Sequence, residues 1–178
     1  MTAANDTLIA QLRRDPLRHI TPLKMYALYS ESMRVLPVPT AHDDDHAGAL
    51  VLGNVSTTGT LAVQAGGAIT QTGSSSIVPG GNATLTAGSG NDITLANAGN
   101  DFGNLRVVSA RNVQLRDSGA FSFGGGSSAI SGNLSLVAGG NVTQASAVSV
   151  SGAATFNAGT AAIVLSDSAN DFGTVALT

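Results

Sequence analysis

The stretch LAVQAGGAITQ at residues 61–71 returns as LSLVAGGNVTQ at residues 134–144, and NDFG at 100–103 returns at 170–173. The offset from Leu61 to Leu134 is nearly that from Asn100 to Asn170, so a long unit has been copied almost twice. Repeats of this size are read before local propensity, because each unit leans on its neighbours. A shorter beat runs inside the unit. Apolar residues come as alternating doublets: Leu61/Val63, Ala83/Leu85, Leu105/Val107, Leu134/Leu136 and Val175/Leu177. After a short turn a second doublet or single follows: Ile69, Ile93/Leu95, Val113/Leu115, Val142 and Ile163/Leu165. Alternation at period two marks strands with one buried face. Strands this short hold only when stacked on others. The beat, roughly 19 to 29 residues, suits one turn of a β-solenoid whose coils stack about 4.8 Å apart. A β-sandwich of many short strands is the competing reading. Near-identical doublets recurring through residues 53–178 favour the solenoid.

The residue types agree with stacking. A narrow core takes Val, Leu, Ile and Ala, while outward positions take Thr, Ser and Asn, and the corners take Gly and Asn, which tolerate positive φ. Of 178 residues only 11% are charged and 4% aromatic, yet 43% are apolar. Disorder pairs low hydrophobicity with high net charge, and a net charge of -3 removes that option. The same charge leaves no basic field for nucleic acid, so no nucleic-acid partner is expected. The chain lacks cysteine, which excludes disulfides and thiolate metal sites. Its first residues, MTAANDTLIAQLRRD, hold no apolar run of signal-peptide length, and no apolar run long enough to span a bilayer follows. Neither an export signal nor a membrane span is expected in this sequence.

Composition breaks near Leu52. Residues 1–52 hold both tyrosines, all three methionines, all three histidines and four of the five prolines, but one glycine, Gly48. The boundary falls between Leu52 and Thr60, giving an amino-terminal helix/strand segment (1–52) and a repeat region (53–178). In the first segment Asn5 or Asp6 caps a helix carrying Leu8, Ile9 and Leu12, and Pro16 opens a second with Leu17 and Ile20 inward. Pro22 interrupts it or begins another helix running through Tyr29. Met33 to Val38 and Ala47 to Leu52 are expected as paired strands around a turn at His42–His46.

The runs LAVQAGGAITQTG, ATLTAGSGNDITLANAGNDFG, RVVSARNVQLRDSGAFSFG and SGNLSLVAGGNVTQASAVSVSG resemble the repeats of filamentous-haemagglutinin-type exoproteins and large autotransporters over residues 60–178. That resemblance implies a right-handed parallel β-helix, extracellular or tethered at the outer membrane, serving as an adhesin shaft. The family's secretion signal and amino-terminal secretion domain have no counterpart in this sequence. The stretch LIAQLRRDPLRHITPLKMYALY, followed by AGALVL, is similar to the start of GNAT-fold acetyltransferases. That likeness ends by Leu52. It implies a segment, incomplete or acting as a cap, without the basic Gly-rich turn that holds coenzyme A pyrophosphate.

Several clusters have the residue types of a site. His42, Asp43, Asp44, Asp45 and His46 combine two imidazoles with three carboxylates, the ligand types of a zinc or manganese site, though a solvated turn has the same composition. Residues 88–95, GSGNDITL, echo a calcium nonapeptide, but its copy at 158–163 has lost the aspartate, so no calcium is expected. Asp101-Phe102-Gly103 spells a kinase magnesium motif without the lysine and HRD loop that a kinase requires, and reads as a corner with Phe102 filling the turn. Gly124–Gly126 lacks the helix start of a phosphate loop. Asn-x-Ser/Thr triplets begin at Asn5, Asn54, Asn82, Asn133 and Asn141, as a composition this rich in Asn, Ser and Thr produces. Arg106, Arg111 and Arg116, with Asp101 and Asp117 nearby, carry the rival reading of a carbohydrate-active β-helix enzyme. With every histidine before residue 53, no Ser/His/Asp set forms in the repeats.

The expectation is a non-catalytic structural and adhesive β-helix with no cofactor. Its partners would be a host-surface glycan or protein and, through open strand edges, other copies of itself. The alternative is an acetyltransferase-related fusion whose residues 1–52 bind a partner or cofactor.

Overall fold

The computed structural model describes residues 48–178. The expected helices, the strand over 33–38 and the His42–His46 turn lie outside them. The described residues form fifteen strands in three parallel sheets. In chain order these are β1 (Leu50–Leu52), β2 (Val55–Thr57), β3 (Leu61–Gln64), β4 (Ile69–Gln71), β5 (Ile77–Pro79), β6 (Ala83–Thr86), β7 (Ile93–Leu95), β8 (Asn104–Ser109), β9 (Val113–Asp117), β10 (Phe121–Phe123), β11 (Ser128–Ile130), β12 (Leu134–Ala138), β13 (Val142–Gln144), β14 (Val148–Asn157) and β15 (Asp171–Leu177).

The first sheet runs β1-β4-β7-β9-β12-β14-β15, the second β3-β6-β8-β10-β13. The pairing gives the coil directly. Leu50 lies beside Ile69, Ile69 beside Ile93, Ile93 beside Val113, Val113 beside Leu134, Leu134 beside Ala154 and Ala154 beside Val175. The six steps are similar but unequal in length, and each is one turn of a solenoid. No helix occurs among the described residues. Leu50–Leu52, which composition assigns to the first segment, is already the first strand of this sheet.

Two long sides are joined by a shorter third side. Between the first and second sheets that side begins with β2 paired to β5 and continues at Asp101, whose N–H donates to the Ile77 carbonyl. After Asp117 the chain crosses from the first sheet to the second with no third strand. The short side reappears after β10, as β11 paired to the first half of β14. The long repeat crosses this change. β3 is in the second sheet and its copy β12 in the first, while β4 is in the first and its copy β13 in the second. Six coils carry the chain from Leu50 to Val175, so the offset from Leu61 to Leu134 is three and a half coils. Successive copies are therefore turned half a revolution about the axis.

Every inward doublet position in the middle coils is buried, among them Ala83, Leu85, Ile93, Leu95, Leu105, Val107, Val113, Leu115, Leu134 and Leu136. The core also takes aromatics. Phe121, Phe123, Phe156 and Phe172 form a column of edge-to-face contacts with ring centroids 4.8, 6.3 and 6.0 Å apart, an arrangement suited to the ring quadrupole. Two expected doublets differ at the last coil. Ile163 makes only an isolated bridge to Val142, with Leu165 half-buried, and Val175 and Leu177 face inward yet stand exposed. Burial in a solenoid comes from the coil above as well as the coil below.

Coils this close tolerate only glycine where one backbone crosses another. An added Cβ at Gly139 would overlap the Ser118 carbonyl, whereas one at Gly90 would meet nothing. Gly139→Ala is expected to destabilise by about 2 kcal/mol and Gly90→Ala by almost nothing, measured as urea midpoints.

Candidate functional site

Strand alternation puts Thr70, Thr94, Gln114, Ser135 and Thr155 on the outer surface of the first sheet. They stand in one register row, Thr70 beside Thr94, then Gln114, Ser135 and Thr155. Hydroxyls and an amide thus recur about every 4.8 Å along the axis. From Asp92 to Thr155 this surface forms a shallow open groove of about 490 Å³.

One rim of the groove is a ladder of corner side chains. Asp92 Oδ1 accepts the Asn112 N–H (3.1 Å), Asn112 Oδ1 the Asn133 N–H (3.0 Å), and Asn133 Oδ1 the Ala153 N–H (2.9 Å). Each corner thereby satisfies a donor of the next coil, which a strand ladder alone leaves open. Arg111 closes on Asp92 with Nε 2.9 Å and Nη2 2.8 Å from the two carboxylate oxygens. That guanidinium, helped by the Asn112 N–H, holds the Asp92 carboxyl well below the usual carboxylate range. A carboxyl lowered on folding stabilises above its unfolded value of about 3.9, and the gain is lost as pH falls through the folded value. Asp92→Asn is therefore expected to shrink the drop in urea midpoint between neutral and strongly acid pH.

A second constellation lies at the corners and is duplicated. Asn100, fully buried, exchanges two hydrogen bonds with Gln71: Gln71 Nε2 donates to Asn100 Oδ1 at 3.0 Å, and Asn100 Nδ2 donates to Gln71 Oε1 at 2.8 Å. Asn100 Oδ1 also accepts the Ile77 N–H, and Nδ2 donates to the Leu95 carbonyl. Asn170 and Gln144 repeat the exchange at 2.9 and 2.8 Å, with Val148 N–H and the Leu165 carbonyl as the other partners. Sequence reasoning read the NDFG corner through its phenylalanine and missed the asparagine. The available signal was that Gln71/Gln144 and Asn100/Asn170 are kept in both copies while the residues between them change.

His42, Asp43, Asp44, Asp45 and His46 lie outside the described residues. Among the described residues no group of three or more His, Cys, Asp or Glu comes together. Asp92 of the calcium-like stretch is occupied by Arg111 and Asn112. Asp101 is exposed, Phe102 buried, and Gly103 has φ of 61°. Arg106 lies on the second sheet, Arg116 on the first and Arg111 at the corner. Asp117 is buried, its oxygens accepting the Phe102 N–H at 2.7 Å and the Gly119 N–H at 2.9 Å. Burial pushes this carboxyl up, against the pull of those donors and with the push of Asp101. It caps the spot where the short side stops. The Asn-x-Ser/Thr triplets have a structural cause at Asn54, Asn133 and Asn141: the asparagine Oδ1 takes an N–H of the next coil, the middle residue faces in, and the hydroxyl faces out.

Comparison with known proteins agrees with the duplication. A family model described as repeats of unknown function (DUF5649) matches twice in tandem, over residues 41–109 and 110–178. The chain belongs to this family. The family's unit ends immediately after β8, so each unit, like the duplication, turns the solenoid by three and a half coils. The match supports a repeat protein and says nothing of adhesion. No curated protein and no solved structure matches the chain.

Proposed function

We propose that this DUF5649 chain is a non-catalytic shaft segment of an extracellular or outer-membrane-associated adhesin, with contact made along its outer faces. The observation that carries this reading is the division of labour in each coil. Inward positions and corner amides are committed to stacking, while the row Thr94, Gln114, Ser135 and Thr155 points outward in an open groove and, among the described residues, spends no side-chain hydrogen bond on holding coils together. Hydroxyl and amide groups at a fixed rise suit a partner with repeated hydrogen-bonding groups of its own, such as a surface glycan or an extended protein segment. The resemblance of residues 60–178 to haemagglutinin-type repeats supports the same reading.

The test is attachment of chain-coated beads to epithelial cells, compared with beads carrying the Thr94→Arg, Gln114→Arg, Thr155→Arg triple variant. These positions face outward, so the variant should keep its circular dichroism spectrum and melting temperature and lose attachment. Wild-type beads that fail to attach, or a variant that attaches equally well, would sink the proposal. Release of reducing ends from polysaccharides by the chain would replace it with the enzyme reading.

A further inference from the structure

We propose that Asp117 is an acid-operated latch between the two repeat units: a proton on its buried carboxyl tightens the joint, and loss of that proton loosens it. Among the described residues Asp117 is the one buried side chain that can carry a charge, being 2% exposed. Strand alternation puts it there. It ends β9 on the inward face that Val113 and Leu115 share, with Ala138 of β12 beside it. The family unit breaks between residues 109 and 110, and the carboxylate reaches across that break. One oxygen takes the Phe102 N–H of the first unit at 2.7 Å, and the other takes the Gly119 N–H of the second at 2.9 Å. Beside them the Ser118 N–H donates to the Asn100 carbonyl at 2.8 Å. The short side of the coil is dropped at this point, so no third strand shares the load.

Among the described residues nothing here balances a negative charge. The corner 100–103 brings Asp101, a second carboxylate: an added Cβ at Gly119 would stand 3.4 Å from an Asp101 oxygen and 3.8 Å from an Asp117 oxygen. Neither β12 nor the turn at Ser118–Ala120 brings a titratable side chain, and Arg116, next to Asp117 on β9, is exposed on the outer face. Ionised Asp117 is therefore a charge taken out of water beside one of like sign, with backbone donors as its main support. A protonated carboxyl gives up the charge and keeps lone pairs for both N–H groups. Burial first, and then Asp101, accordingly raises this carboxyl above its ordinary range. With the folded value above the unfolded one of about 3.9, the stabilisation is complete below the unfolded value and is lost as pH rises through the folded value. Asp92 runs the other way, its carboxyl held low by Arg111, so mild acid tightens the Asp117 joint before it touches the Asp92 corner.

The test uses the full chain, with carbon-13 in its aspartate carboxyls and amide hydrogen exchange followed by NMR across pH. The Asp117 carboxyl carbon is expected to titrate above the ordinary carboxylate range. Protection of the Phe102 and Gly119 amides, corrected for the intrinsic pH dependence of exchange, should rise several-fold toward acid with that same midpoint. The Val142 amide, bonded to the Ala162 carbonyl away from this corner, should show no such step. Asp101→Asn removes the like charge at an exposed position and should move the midpoint downward while keeping the circular dichroism spectrum. Asp117→Asn takes up no proton and should abolish the rise in protection; where that variant does not fold, the Asp101→Asn arm decides alone. An Asp117 carbon that titrates within or below the ordinary range would overturn the latch. So would Phe102 and Gly119 protection that ignores pH, or a midpoint that Asp101→Asn leaves in place.

Discussion

Asn100→Ala is expected to lower stability by about 3–5 kcal/mol, because it strands several buried partners at once. The side chain is completely enclosed and serves Gln71 twice, the Ile77 N–H and the Leu95 carbonyl. Alanine leaves those groups facing a small enclosed space without the amide that served them all. Asn100→Asp keeps the shape and isolates the cause. Its two oxygens still accept from Ile77 and from Gln71 Nε2, but they meet the Leu95 carbonyl and Gln71 Oε1 acceptor to acceptor. Gln71 cannot flip to help without giving up its Nε2 bonds to Ser75 and its Oε1 contact with the Asn97 N–H. The aspartate variant should therefore also be badly destabilised at neutral pH and recover as its carboxyl is protonated, since a buried carboxyl lacking enough donors has its folded pKa raised. Asn170→Ala removes the same set of bonds at a half-buried position in the last coils, with a longer 3.4 Å contact to Leu165. About 1–2 kcal/mol is expected there. Urea titrations of the three variants check the ranking, and equal losses at Asn100 and Asn170 would show that burial does not set the cost.

The parts of the fold that the sequence discloses are those with a short period. The doublets Leu105/Val107 and Leu134/Leu136 announce strands because alternation is a local property, and their recurrence announces stacking. What the sequence conceals depends on coil length. Asp92 and Arg111 meet because they are 19 residues apart at one corner, and Gln71 meets Asn100 across 29 residues because the coil between them is long. Coil length varies along one sheet, the turn from Leu50 to Ile69 being shorter than the next from Ile69 to Ile93, so no fixed spacing marks these pairs. The half-revolution between copies is hidden for the same reason. Similar letters at 61–71 and 134–144 suggest equivalent positions, yet the coil does not divide the repeat evenly and the copies land on opposite sides. For the candidate surface, the outward Ser, Thr and Gln residues are legible as outward, whereas their alignment into one row appears only with the register.

Leu105→Asp should be the most destructive change of a single inward residue, costing at least about 4 kcal/mol out of a typical total of roughly 5–15 kcal/mol. Leu105 is wholly buried in β8, with Ala83 on one neighbouring strand and Phe123 on the other. A carboxylate there finds no cation and no free backbone donor, because the ladder on both sides has already taken them. Arg106→Asp, one residue along, places the same group on the outer surface, where it forfeits only the bond from Nε to the Ser127 carbonyl (3.1 Å). That loss should be roughly 0.5 kcal/mol. A strand slipped by one residue would exchange the two results, so the pair tests the register directly. A third variant, Val175→Asp, separates direction from coverage. Val175 faces inward like Leu105, its counterpart in the first unit, but lies in the last described coil and is half exposed. Its aspartate would keep much of its water, and the cost should fall well below that of Leu105→Asp in dilute solution. Equal damage at Leu105 and Val175 would mean that inward direction alone decides the energy. A graded series would show that each coil is stabilised by the coil laid upon it.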